Sequence, residues 1–318
     1  MLTQLGLDWR DHLILVRDCE TAGEKSALFM RVRRGELIAI VRGAYVRADV
    51  WLASDADARY RARIKAVAAV SAGQLVLSHQ SAAALWRLPS VGRWPGTVHT
   101  LAPSAAGGRS NRLITRHTVG VPEELVSIDG LAVTSLARTV VDIARTTAFV
   151  PALTMADAAL RRTAHPHPLL PQTFLTLDDL RGELELVPRR QSAAKAARTI
   201  EFADGAADRP GESISRANIR LAGLTMPQLQ VRMVGASGLV YFVDFWWPEF
   251  NLIGEFDGRG KYTDPAFLQG RTPQQALLDE KLREDDLRRT GKGMTRWPWE
   301  IAISMTRLRA HLMAAGVR

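Results

Sequence analysis

Three carboxylates in the last third of the chain have the spacing to meet. Glu255 and Asp257 lie two apart in the run Leu252-Ile253-Gly254-Glu255-Phe256-Asp257, and residues two apart in a β-strand project from the same face. The preceding run, Val240-Tyr241-Phe242-Val243-Asp244-Phe245-Trp246, joins it through the short turn Trp247-Pro248-Glu249-Phe250. An antiparallel pairing then places Asp244 within metal-bridging reach of Glu255. Converging carboxylates repel one another and are costly to bury, so such a cluster calls for a cation. All-oxygen donors suit Mg2+ or Mn2+, with Asp244, Glu255 and Asp257 as the expected ligands. A bound divalent ion polarises a phosphodiester oxygen and lowers the pKa of an attacking water. Each acid alone reads equally well as a solvated charge, and Asp257-Gly258 as a turn pair. Their joint spacing carries the expectation.

Other reactive residue types offer less. His79, His99 and His117 are widely spaced with no ligand pair beside them, and Ser78 reads as an N-cap with His79 in the first helical turn. Ser213 and Ser215 lack the glycine-framed elbow of a serine hydrolase. The single cysteine, Cys19, excludes an intramolecular disulfide and a cysteine-based zinc site.

The elements that must position the acids read as a helix over 212–222, strands over 228–234, 239–246 and 252–257, a long helix over 273–289 and a strand over 295–299. This C-terminal α/β region, 206–318, follows the linker Asp204-Gly-Ala-Ala-Asp-Arg-Pro-Gly211. Residues 51–205 read as mostly helical, with helices over 59–71, 81–87, 134–162 (a pair) and 191–202, and strands over 97–102 and 113–118. Residues 1–50 read as a helix over 8–21, a second over 26–34 ended by Gly35, and a hairpin of 37–41 with 44–46 around Arg42-Gly43. Helix, turn, helix and hairpin make a winged helix-turn-helix. The expected fold class is α+β and multidomain.

The chain has 318 residues with 47% hydrophobic and 24% charged side chains, enough to fold two or three domains. A net charge of +9 points to phosphate backbones or acidic surfaces. Only six of the 42 basic residues are lysine, a ratio that phosphate recognition and an arginine-rich genome explain equally well. The start, Met1-Leu2-Thr3-Gln4 with an acid by Asp8, lacks the regions of a signal peptide, and no apolar run is long enough to span a bilayer. A cytoplasmic protein with double-stranded DNA as partner, and no membrane partner, is expected.

Two stretches resemble known families. Pro210-Gly-Glu212-Ser, Val243-Asp244-Phe-Trp-Trp-Pro248, Gly254-Glu255-Phe-Asp257-Gly258 and Lys281-Leu-Arg283-Glu-Asp285 together resemble Vsr-type (very-short-patch-repair-like) endonuclease domains of the PD-(D/E)xK nuclease fold. The resemblance covers about residues 210–315. It implies a restriction-endonuclease-like domain with catalytic residues Glu212 from a helix, Asp244 as central metal ligand and Glu255 on the following strand. The lysine usual two residues after that acid is Asp257 here. Lys261, beyond Gly258-Arg-Gly260, is the nearest lysine to serve in its place.

Phe29-Met-Arg31-Val-Arg33-Arg34-Gly35-Glu-Leu37 and Arg42-Gly43-Ala-Tyr45-Val46 are similar to the winged helix domain of AbiEi-type antitoxins of type IV toxin–antitoxin systems. Six basic residues face one acid between Lys25 and Arg47. A basic recognition helix with Arg31, Arg33 and Arg34 suits the major groove, and Arg42 on the wing suits neighbouring phosphates. Ser78-His79-Gln80-Ser81-Ala82-Ala83 and Val133-Thr134-Ser135-Leu-Ala-Arg138-Thr139 look like the segment joining the two modules. Two functions stay open: a Mg2+-dependent endodeoxyribonuclease delivered to DNA by the winged helix, or a non-catalytic repressor or antitoxin that also binds a toxin or another protein.

Overall fold

The structure is a computed structural model that describes residues 12–102, 110–187, 192–258 and 272–318. It is α+β, with three separate sheets among the described residues, and forms two compact units. The first comprises residues up to Thr147 together with Arg162–Glu201, and the second Ala148–Arg161 together with Phe202–Arg318.

The first unit opens with a strand, β1 (Ile14–Leu15), and a 3-10 turn (Val16–Asp18). The described part of the helix expected over 8–21 is therefore a short strand followed by a 3-10 turn, not an α-helix. Ile14 and Leu15 pair with Tyr45 and Ala44 of the hairpin, and this pairing overrides local helical preference. Helix α1 (Ala22–Arg33) begins earlier than expected because Thr21 and Glu24 form a reciprocal capping box. Strands β2 (Leu37–Val41) and β3 (Ala44–Arg47) make the expected hairpin. Leu28, Leu37 and Tyr45 are the buried heart of this small core.

Beyond α2 (Ala48–Ala53) and α3 (Ala56–Val70), the same unit is less helical than expected. It holds a five-stranded sheet ordered β6-β5-β4-β8-β7, built from β4 (Val76–Leu77), β5 (Val98–Leu101), β6 (Ile114–His117), β7 (Leu125–Ile128) and β8 (Leu131–Thr134). The unforeseen hairpin β7–β8 turns on Asp129-Gly130, both at positive φ (52° and 73°), the backbone that a two-residue hairpin turn demands. Helices α4 (His79–Leu85), α5 (Leu136–Thr146), α7 (Leu177–Leu186) and most of α8 (Ala193–Phe202) complete the unit.

The second unit recruits α6 (Phe149–Arg161), from the segment that the sequence groups with the middle region. Its remaining order is α9 (Pro210–Leu221), β9 (Gln228–Val234), β10 (Val240–Trp247), β11 (Leu252–Asp257), α10 (Pro273–Arg288), β12 (Gly293–Pro298), α11 (Trp299–Ala302) and α12 (Met305–Ala314). The sheet order is β12-β11-β10-β9, antiparallel from β9 to β11 and parallel between β11 and β12. One core gathers Phe245, Trp247, Phe256, Trp297, Ile219 and Leu312. A second gathers Met233, Val243, Ile253, Leu287 and Met294. Gly254 lets the two tryptophans close over the strand, since a Cβ there would lie 2.7 Å from the Trp247 ring and 2.8 Å from that of Trp297. Among the described residues no helix is long and apolar enough to cross a membrane.

Candidate metal and phosphodiester cleft

Helix α9 starts with Pro at its first position, where a missing N–H costs nothing, and Glu212 two residues on. Gly211 allows the close approach of helix to sheet: a Cβ on it would fall 2.0 Å from the Phe256 ring. Glu212 is thereby pressed against the sheet and is 3% exposed. Its Oε2 accepts the Asp208 backbone N–H at 2.9 Å and the Gln230 amide at 3.0 Å.

Gln230 and Asp244 mark an irregularity in the sheet. Pairing of β9 with β10 runs through Val231 with Val243 and resumes at Leu229 with Phe245. Between these pairs Gln230 adopts φ 47°, left-handed backbone that a long side chain rarely tolerates. Val243 packs in one core and Phe245 in the other, so β10 exchanges its faces at Asp244. The result turns both side chains into the cleft. The Gln230 amide bridges Glu212 and, at 3.3 Å, Asp244 Oδ1, while Asp244 Oδ2 accepts the Phe256 N–H at 2.9 Å.

Glu255 on β11 is 3% exposed and lines the same cleft of about 360 Å³ as Asp208, Glu212, Gln230, Asp244 and Glu280. Arg283 of α10 places Nη1 2.6 Å from Glu255 Oε1, a charge contact without hydrogen-bond direction, and donates from Nη2 to the Phe242 carbonyl at 2.6 Å. Burial, followed by the nearby Asp244 charge, pushes the Glu212 carboxyl up to about 8. Burial also raises Glu255, against the pull of Arg283 and with the push of Asp244. Desolvation is the larger cause of both shifts, and the Asp244 charge adds to it.

The structure thus brings Glu212, Asp244 and Glu255 into one cleft and takes Asp257 out of it. Asp257 accepts from Arg296 Nε at 3.2 Å and is not among the cleft's lining residues. Arg296, on β12 in register with Glu255, also pairs with Glu280 and, at 3.3 Å, with Glu284. The third expected metal ligand is therefore engaged by an arginine. Lys261 lies outside the described residues.

Hard oxygen donors, two of them buried and raised chiefly by that burial, fit a divalent cation chemically. Glu212, Asp244 and Glu255 are the residues that would hold it, and the ion would supply Lewis-acid polarisation of a phosphate oxygen. As placed, no group of three or more His, Cys, Asp or Glu among the described residues has metal-holding geometry. Sequence reasoning assigned no role to Gln230, Arg283 or Arg296. Arg283 lay within a motif that carried the resemblance, whereas Gln230 sends no signal, because its role comes from an irregular backbone.

The expected DNA-contacting side chains, Arg31, Arg33, Arg34 and Arg42, are all exposed. Arg31 and Arg34 approach Glu36 at 3.3 and 3.9 Å, surface pairs worth little in water. On α1 only Leu28 is buried, and Phe29 and Met30 are each 45% exposed.

The three histidines, widely spaced in sequence, do meet. His99 Nδ1 and His117 Nε2 are 3.0 Å apart, and the His79 and His117 rings stack at 3.5 Å. Adjacent parallel strands β5 and β6 bring His99 and His117 together under the start of α4. Burial pushes His79 well below its usual range and His99 down to about 4. Burial lowers His117 as well. Ser78, at the N-cap position, turns its hydroxyl to His79 at 3.0 Å and caps no backbone N–H.

No family model matches the chain. It is 26% identical over 260 residues to the uncharacterized protein MT2308 of Mycobacterium tuberculosis (strain CDC 1551 / Oshkosh), covering 80% of this chain and 86% of the relative. The uncharacterized protein Rv2248 of strain ATCC 25618 / H37Rv matches with the same identity and coverage. Among solved structures, the crystal structure of the RV2827C protein from Mycobacterium tuberculosis matches with a TM-score of 0.36 and 17% identity, over 73% of this chain and 86% of that one.

Proposed function

We propose that the protein binds double-stranded DNA through an N-terminal winged helix and cleaves phosphodiesters with Mg2+ or Mn2+ in a restriction-endonuclease-like C-terminal unit. The observation that carries the reading is the meeting of Glu212, Asp244 and Glu255, from a helix and two strands, in one cleft. Burying Glu212 and Glu255 beside the half-buried Asp244 is costly in a purely structural role, and the raised Glu212 and Glu255 carry that cost. In hydrolysis a water oxygen bonds to phosphorus as the bond to the leaving sugar oxygen breaks, and the proton that water loses is returned through solvent to that oxygen. Asp244, held by Gln230 and the Phe256 N–H, is the acid that would sit between Glu212 and Glu255 as the central ligand.

Incubation of supercoiled plasmid with the full chain and Mg2+ or Mn2+ tests the reading. Nicking that disappears in Asp244→Ala is the expected result, and equal nicking by the variant would refute it. A second reading, a repressor or antitoxin that binds DNA and a partner protein without cutting, is favoured by the engagement of Asp257 with Arg296 at the position where the resembling enzymes keep a lysine.

A further inference from the structure

Phosphodiester cleavage builds negative charge on the phosphate oxygens, and a cation fixed beside them lowers the barrier. Asp257 cannot be that cation. Two arginines line the cleft among its described residues, Arg209 and Arg283. Arg209 stands at the N-cap of α9, 44% exposed in its side chain and 3.8 Å from Asp208. Arg283 is the more enclosed, 25% exposed, and touches the buried acid Glu255. Its guanidinium is steadied by the Phe242 carbonyl and by the Tyr241 ring, whose centroid lies 5.7 Å from Cζ. A guanidinium carries five N–H donors, and these partners do not exhaust them.

Resting on the nuclease reading, we propose that Arg283 is the catalytic cation of the cleft, taking an oxygen of the scissile phosphate while its other edge stays on Glu255. Positive charge then enters from α10 and not from the strand that carries Glu255. A planar fork suits this double duty, since it can address a carboxylate and a phosphate from different edges at once. Arg283 gives up neither proton nor electrons. It offsets charge on the non-bridging oxygens as the new bond forms and the old one breaks.

The test uses the full chain with Arg283→Gln, Arg283→Met and Arg283→Lys, so that one variant failing to fold leaves another. Nicking of supercoiled plasmid with Mn2+ is measured beside Mn2+ binding by the DNA-free protein, followed by water-proton relaxation. The neutral variants should lose about 100-fold or more in rate, the cost of deleting one charge that stabilises the transition state. Their Mn2+ affinity should equal or exceed that of the wild type, because a competing cation has left Glu255. The lysine variant should recover part of the rate. Unchanged nicking in a folded neutral variant overturns the role of Arg283 and leaves the nuclease reading intact. Parallel loss of Mn2+ binding and nicking also overturns it, making Arg283 a support for Glu255. A wild type that nicks nothing with any divalent ion overturns both.

Discussion

Glu212 is buried as a carboxyl, and that burial costs stability once it ionises. Its ordinary carboxyl value is 4.5, and in the folded protein burial and the Asp244 charge push it up to about 8. A carboxyl raised on folding favours the protonated form, so the folded state binds more protons than the unfolded chain between these two values. Its contribution is fully present below about 4.5 and is lost as pH rises through 8. Glu212→Gln keeps an oxygen for the Asp208 N–H and the Gln230 amide and removes the titration. We predict that Glu212→Gln melts higher than the wild type at pH 9, by an amount on the order of 1 kcal/mol or about 2–4 °C, with the difference vanishing near pH 4.5. Thermal melts without divalent ions check this, and a variant less stable at high pH would contradict it.

At the scale of elements, the cleft depends on α9 being held in place, and α6 holds it. Arg216 of α9 donates twice to Asp157 of α6, at 2.7 and 2.8 Å, and once to the Phe202 carbonyl at 2.7 Å. Asp157 also accepts the Asp204 N–H at 2.8 Å and is fully buried. Asp157→Ala would leave a buried guanidinium without its counter-ion, a change that costs about 3–5 kcal/mol. Denaturant unfolding should show a loss of that size, and a loss below about 1 kcal/mol would mean the pair contributes little.

The two strands and the helix α9 that carry the acids were legible in the sequence, because alternation over Val240–Trp246 and Leu252–Asp257 and the Pro210 start signal are local. The contribution of α6 was not, since Asp157 and Arg216 are brought together by tertiary packing alone. Nor were the left-handed Gln230 or the diversion of Asp257, which depends on Arg296 from a parallel strand reached only through α10. The meeting of His79, His99 and His117 was hidden for the same reason. The β7–β8 hairpin differs, because Asp129-Gly130 is a local turn signal that the sequence does carry.

Across the whole molecule, the excess of +9 charge is the property most open to measurement. If Arg31, Arg33, Arg34 and Arg42 neutralise phosphates, replacing one by alanine should weaken binding to any duplex and flatten the plot of log affinity against log salt by about 0.9 for each phosphate no longer neutralised. Fluorescence anisotropy with a short duplex over a range of KCl reads both quantities, and wild-type slopes in all four variants would remove these N-terminal arginines from the DNA interface.

Titrating Mn2+ into the DNA-free full chain and following water-proton relaxation tests whether Glu212, Asp244 and Glu255 form a divalent-cation site. A saturable Mn2+ site that Asp244→Ala abolishes is expected, since that acid is held by Gln230 and the Phe256 N–H in the cleft. Identical titration curves for the wild type and Asp244→Ala would contradict it.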